Sequence, residues 1–416
     1  MMDHLALEDH LALESQLALE GGTPVRTAPY PAWPQWDAQE ERALLETLRS
    51  GNWWAPPGNQ VHAFERAFAD YHEARYGIAC TNGSAAIEIA LRAAGVDWGD
   101  EVITTPYTFI ATAASCLLVG AIPRFADLLP NTWNLDPDQV EALITPRTKA
   151  ILPVHIAGEP ADMDALRAVA RKHGLVLIED AAQAHGAMWN GHKIGALGDM
   201  GTFSFQASKN VSSGEGGMIL TNSQEWAERC WSIVNVGRSP EGAFYQHVNL
   251  ASNYRLAEWM GAVLRVQLGR LEEQTERRLA NAAYLAEALS VVPGLTPVPG
   301  DPRTTRNAYH LFRVWYDPQA FGGKSREAFS AAMEAEGIPM RAGYPEPLSR
   351  QQVIVQRSAY IRQRLGLPAQ EPDPCPVCED VCRRGMWLYQ SLLLAEQSDL
   401  DDIVAAAIKV QRAWGG

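Results

Sequence analysis

Between residues 60 and 220 the chain alternates short apolar runs with amphipathic stretches, and that alternation leaves few folds open. The runs are EVITT (101–105), AIPRFAD (121–127), AILPVH (150–155), LVLIED (175–180) and GTFSF (201–205). Helical spacing lies between and before them: residues 61–72 carry Phe64, Ala67 and Phe68 on one face, and residues 84–94 and 163–173 follow the same period. Strands alternating with helices predict an α/β architecture, a mostly parallel sheet covered on both faces. In such sheets ligands gather at the carboxyl ends of the strands, where loops lead into helices. A helix is expected over 37–49 and a long charged one over 255–291. With 416 residues the chain exceeds one small core. The expected division is an extension over 1–21, a large domain with an N-terminal arm over 22–291, and a smaller α+β domain over 292–416.

Several classes of function are disfavoured at once. A net charge of −14 and the lack of any basic run argue against nucleic acid, since phosphate binding needs a Lys/Arg surplus on at least one face. No uncharged apolar stretch approaches the length of a membrane span, and no basic region followed by an apolar core opens the chain. Six cysteines in a chain this long make no disulfide framework, so the cytoplasm is the expected compartment. Cys375, Cys378 and Cys382 have suggestive spacing but only carboxylates for company, and no metal role is assigned to them. Residues 4–21 repeat a hexad, HLALED, HLALES, QLALEG, with too few copies for a solenoid and a period foreign to coiled coils. A mobile or weakly helical extension is expected there.

Four segments carry chemistry. In GTFSFQASKNVSSGEGG (201–217), Lys209 follows a short strand and precedes a glycine-rich turn, a position from which an amine can reach a cofactor aldehyde. A surface lysine in a polar loop would look the same. In LVLIEDAAQAHGA (175–187), Asp180 ends an apolar run; such an acid can protonate the pyridine nitrogen of pyridoxal 5′-phosphate or merely cap the next helix. In TNGSAAIE (81–88), Gly83 and Ser84 open a helix, where N–H groups, dipole and hydroxyl suit a phosphate, or need no ligand at all. In TPYTFIAT (105–112), Phe109 at a strand end suits stacking on a ring, or a place in the core. Their order along the chain is the argument: phosphate-binding helix start, aromatic, strand-end acid, then lysine before a glycine turn. That is the order of fold-type I pyridoxal phosphate enzymes.

Together with GGTPVR, FERAFADYH, GDEVITTPYTFIAT, ADMDAL and SNYRLAEW, these stretches resemble the DegT/DnrJ/EryC1/StrS aminotransferases over nearly the whole chain. The resemblance implies an aspartate-aminotransferase-like fold and a homodimer with active sites at the subunit interface. It makes Lys209 the lysine bonded to the cofactor and Asp180 the partner of the ring nitrogen. Phe109 matches the stacking aromatic, Gln183 a polar group beside the ring, and Gly83, Ser84 and Ser204 the phosphate contacts. Asn253 matches an asparagine donated to the neighbouring subunit's phosphate, with Arg255 assisting.

Within the family, dehydratases replace the lysine with histidine, and Lys209 is present. The stretches PAWPQW and SGNWW also resemble 3-amino-5-hydroxybenzoate synthases, but those tend to carry histidine where this chain has Gln183. SGNWW, PVHIAG, WNGHKIGALGD and NYRLAEW resemble glutamine-dependent inosose aminotransferases most. The expectation is amino transfer from L-glutamine or L-glutamate to a keto-sugar or keto-cyclitol, the alternatives being a water-eliminating synthase or a non-catalytic regulator that binds the cofactor. His185, Tyr245, His247 and Tyr344 are expected near the cavity mouth, for substrate hydroxyls or for structural hydrogen bonds.

Overall fold

The computed structural model describes residues 16–243 and 245–415. Among these residues the main sheet has seven strands, β1 (Tyr76–Cys80), β2 (Glu101–Thr104), β3 (Ile122–Phe125), β4 (Thr148–Leu152), β5 (Val176–Asp180), β8 (Met200–Ser204) and β9 (Gly217–Thr221). A small hairpin, β6 (Met188–Trp189) and β7 (His192–Lys193), interrupts the sequence between β5 and β8. The spatial order is β1-β9-β8-β5-β4-β2-β3. β3, β2, β4, β5 and β8 run parallel, whereas β9 is antiparallel to both β8 and β1. The carboxyl ends of β1, β2, β4, β5 and β8 therefore meet on one edge of the sheet.

Local chemistry explains the segmentation. The helix Met163–His173 starts where Asp162 accepts the N–H of Ala165, ends in the left-handed Gly174, and gathers Arg171, Lys172 and His173 at its negative end. It buries Met163, Leu166 and Ala170. The chain then turns directly into β5, whose apolar residues are covered on both faces, as a central parallel strand requires. The aromatics Phe64, Phe68, Phe203 and Phe205 pack edge to face beneath the sheet. Each such pair adds roughly 0.5–1.5 kcal/mol beyond its buried area.

A second sheet, β10 (Leu295–Pro297), β12 (Leu311–Tyr316), β14 (Gly385–Tyr389) and β13 (Arg341–Ala342), is antiparallel throughout. β11 (Thr304–Arg306) instead joins the β6–β7 hairpin. The helix Glu258–Leu289 binds the two halves: Leu264 and Leu271 belong to the core under the large sheet, and Leu285 and Leu289 to the core of the second. No helix among the described residues is long and apolar enough to cross a membrane.

The extension departs from expectation where it is described. Most of the hexad repeat lies outside the described residues, but Leu17 is fully buried in the core of the second sheet. A short 3-10 turn, Ala18–Glu20, follows it. What tethers this stretch is a buried carboxylate 310 and more residues away: Glu336 accepts the N–H groups of Ala18 and Val25 and pairs with Lys409. Sequence periodicity is blind to such a partner.

Candidate active site

Lys209, Asp180, Gly83, Ser84, Phe109, Gln183 and Ser204 all line one cavity of about 700 Å³ at the carboxyl edge of the large sheet. The second sheet closes it with His310, Leu311, Tyr344, Trp387 and Tyr389. Each wall follows from the topology. Asp180 is the last residue of β5 and Ser204 the last of β8; Gly83 opens the helix Gly83–Ala93 just past β1.

Asp180 is nearly fully buried. Its Oδ2 accepts the hydroxyl proton of Thr112 at 2.8 Å and its Oδ1 the N–H of Ala182 at 3.2 Å. Burial pushes its pKa up, and the two hydrogen bonds and the charge of Lys209 pull against that rise. Lys209 shows some surface, but the surface opens onto the cavity. Its amine has no hydrogen-bond or ion-pair partner among the described residues. Loss of hydration lowers its pKa to about 8, against a smaller opposing pull from Asp180. A lysine so perturbed in a cleft has the properties of a nucleophile held in reserve.

At the helix start, the cap is Asn82, whose side chain accepts the N–H of Ala85. The N–H groups of Gly83 and Ser84 stand outside the helical ladder at its positive end, where an anion is favoured. Glycine is needed at 83 because a Cβ there would sit 2.6 Å from the Cβ of Ser204. Gln183 Oε1 accepts the N–H of Ala157 at 2.6 Å, which fixes the amide and leaves its NH₂ group as the donor. Tyr344 lies against the same side chain.

Phe109 lies five residues beyond the end of β2, in the loop before the helix Ala111–Leu118, and not at the strand end itself. The residue is 59% exposed and lines the cavity, so its ring is free to stack on a bound group. Of the residues expected near the mouth, Tyr344 lines the cavity and three do not. His185 is wholly buried among Phe68, Phe203 and Phe205. Tyr245 and His247 lie on an exposed loop, His247 bonded to the carbonyl of Val236. Asn253 is exposed outside this cavity, its Oδ1 accepting the N–H of Arg255. The sequence reading missed Thr112, Ser208, His310, Trp387 and Tyr389; Thr112 and Ser208 stood in motifs already noted, the other three in none.

A lysine facing the cavity, a buried strand-end carboxylate, a helix start that suits an anion and an exposed aromatic ring fit pyridoxal 5′-phosphate in charge and donor type. The three thiols at 375, 378 and 382 are buried and free.

The chain is similar to known proteins over most of its length. L-glutamine:2-deoxy-scyllo-inosose aminotransferase of Streptoalloteichus tenebrarius is 40% identical over 95% of this chain and 97% of its own. The 3-amino-5-hydroxybenzoate synthase of Amycolatopsis mediterranei is 37% identical over 92% and 98%. Among solved structures, a 3-amino-5-hydroxybenzoic acid synthase superposes with a TM-score of 0.83 at 35% identity, covering 92% of this chain and 99% of that one. An aminotransferase from Psychrobacter cryohalolentis gives 0.82 at 30% identity, covering 91% and 98%. Residues 34–407 match one family over their whole span, and with the site just described they make this chain a member of the DegT/DnrJ/EryC1/StrS aminotransferase family.

Proposed function

We propose that the protein is a pyridoxal-phosphate-dependent aminotransferase carrying an amino group from L-glutamine or L-glutamate to the ketone of a keto-cyclitol or keto-sugar of inosose type. The observation that carries this reading is Lys209, an amine without a hydrogen-bond or ion-pair partner among the described residues, facing the same cavity as the buried carboxylate of Asp180. The names of the relatives support the donor and the acceptor class. Pyridoxal 5′-phosphate, when bound, supplies an electron-accepting ring that stabilises negative charge on the carbon next to nitrogen.

The chain's residues do the rest. Lys209 would hold the cofactor through its aldehyde carbon and, when free, would move a proton between the donor carbon and the cofactor carbon C4′. An amine with a pKa of about 8 is suited to both directions near neutral pH. Asp180 keeps the ring nitrogen protonated, with Thr112 fixing the carboxylate. Gly83, Ser84 and Ser204 would hold the phosphate, Phe109 would stack on the ring, and Gln183 would offer its NH₂ group as a donor. The second half-reaction reverses these steps on the ketone.

In this reading the active unit is a homodimer, and Asn253 of the partner subunit completes the phosphate site. Its exposed position outside its own chain's cavity suits that role. The cytoplasm is the proposed compartment, because six free cysteines suit a reducing environment.

An absorbance spectrum of the purified protein tests the proposal. A band at roughly 410–430 nm should give way, on adding L-glutamine, to one at about 330 nm. A band indifferent to amino donors would favour the synthase or regulator alternatives. No band after adding the cofactor would refute the reading.

A further inference from the structure

His310 lies beside Lys209, at the base of β12, and lines the cavity from the second sheet. Nothing in the motif reading singled it out. Its ring is 4% exposed, and its Nδ1 lies 3.3 Å from Oδ1 of Asn210, the residue next to the lysine. The Asn210 amide is itself oriented, because its NH₂ group donates to the carbonyl of Ala308 at 2.8 Å. The oxygen of Asn210 therefore faces the ring and can only accept. Nδ1 of His310 must carry the proton.

The other nitrogen follows. Burial, then the charge of Lys209, holds the imidazole neutral, well below its ordinary pKa. A neutral ring protonated on Nδ1 has an unprotonated Nε2, a pure acceptor. Among the described residues Nε2 has no hydrogen-bond partner. A bare acceptor on a cavity wall selects for a donor in whatever fills the cavity.

We propose that His310 is a specificity-determining residue for the keto acceptor: its Nε2 accepts a hydrogen bond from a ring hydroxyl of the cyclitol or sugar, in a tautomer set by Asn210. A ketone oxygen cannot donate, so the contact reads the hydroxyls around the reacting carbon and not the carbon itself. The inference rests on the aminotransferase reading above and goes beyond it by naming the residue that recognises the acceptor.

Two substitutions divide the ring between them. In His310→Asn the amide can still bond Asn210, but the Nε2 end is lost. In His310→Gln the amide reaches the Nε2 position and can accept there through Oε1. The two half-reactions are read separately on the holoenzyme by its cofactor absorbance, with L-glutamine as donor and 2-deoxy-scyllo-inosose as acceptor. The expected result is a drop in acceptor kcat/KM for His310→Asn at least about tenfold greater than its drop for the donor, carried mainly by KM, with His310→Gln recovering much of it. Equal losses in both half-reactions would mean that His310 acts through Lys209, and would overturn the proposal. So would wild-type acceptor kinetics in His310→Asn, or a His310→Gln variant as impaired as His310→Asn. Calorimetric binding of 2-deoxy-scyllo-inosose to the three holoenzymes reads the same contact without turnover. A wild type that binds the ketone yet ignores L-glutamine would refute the proposed donor, and the calorimetry would then decide the His310 contact alone.

Discussion

The hydroxyl of Thr112 donates to Oδ2 of Asp180 at 2.8 Å, linking the helix after β2 to the carboxyl end of β5. This bond opposes the rise that burial imposes on the Asp180 pKa. Thr112→Val should therefore let that pKa rise further, and the acid limb of the pH–rate profile should move to higher pH. Hydrogen bonds to charged groups contribute about 1.5–3 kcal/mol, so a loss of about tenfold in rate is expected at neutral pH. Asp180→Asn should keep the fold and lose about a hundredfold or more, since a neutral amide cannot hold the ring protonated. Rate profiles from pH 5 to 9 check both; an acid limb that stays put in Thr112→Val would remove the coupling.

Lys209 gives a prediction that needs no substrate. Its pKa falls from the ordinary 10.5 to about 8, so between those values the unfolded chain binds more protons than the folded one. Stability from this group therefore rises with pH through that window, and below it the folded protein bears the full cost of a buried ammonium. That cost is at most about 3 kcal/mol. Cofactor-free Lys209→Met should melt several degrees above the cofactor-free wild type at pH 7, with the gap closing toward pH 10. Scanning calorimetry at both pH values checks it, and a gap that widens with pH would contradict the assignment. Lys209→Ala should abolish transamination, and borohydride should no longer fix the cofactor to the chain, as mass spectrometry would show.

Elements bounded by turn residues were legible in the sequence. The helix Met163–His173 has a capping Asp162 before it and Gly174 after it, and its predicted and observed limits coincide. Asp180 and Lys209 were legible because a polar residue ending an apolar run, or preceding a glycine turn, stands out locally. What depends on distant partners was not. β1 and β9 are buried strands separated by more than 130 residues, and neither their pairing nor their direction leaves a local mark. His185 shows the opposite failure. It is polar and sits in a quoted motif, yet it packs under the sheet, because period-two patterning fades in the turn after β5. His310 has no motif signal that a single chain could display.

Gly83 tests the helix start. An alanine methyl would collide with the backbone-anchored Cβ of Ser204, so the helix or β8 must shift. Overpacking of this kind costs about 1–3 kcal/mol. The shift falls on the phosphate contacts, so Gly83→Ala should weaken cofactor binding by tenfold or more while leaving a folded protein. Fluorescence titration with pyridoxal 5′-phosphate measures it. An unchanged affinity would move the phosphate site elsewhere.

A shared active site makes a prediction about mixtures. Lys209→Ala and Asn253→Ala chains should each be nearly inactive as homodimers. Unfolded and refolded together in equal amounts, half the dimers carry one site built from the intact Lys209 of one chain and the intact Asn253 of the other. The mixture should then recover about a quarter of wild-type activity. No recovery, with dimers reassembled, would mean that Asn253 serves its own chain.

The buried pair Glu336–Lys409 holds the N-terminal arm. Glu336 and Lys409 are both almost inaccessible, at 2.9 Å, and Lys409 also donates to the carbonyl of Thr23. Removing the carboxylate strands an ammonium and two backbone N–H groups away from water, which costs about 3–5 kcal/mol. Glu336→Ala should therefore destabilise the protein by that much and loosen the stretch that begins at Leu17. The double variant Glu336→Leu with Lys409→Met should recover part of the loss, since it buries no charge, but not the arm's two backbone hydrogen bonds. Chemical denaturation gives the energies, and hydrogen exchange at Ala18 and Val25 reads the arm itself. If Glu336→Ala left those amides as protected as in the wild type, the arm would be held instead by Leu17 packing and by the ion pairs of Arg26 with Asp399 and Asp402.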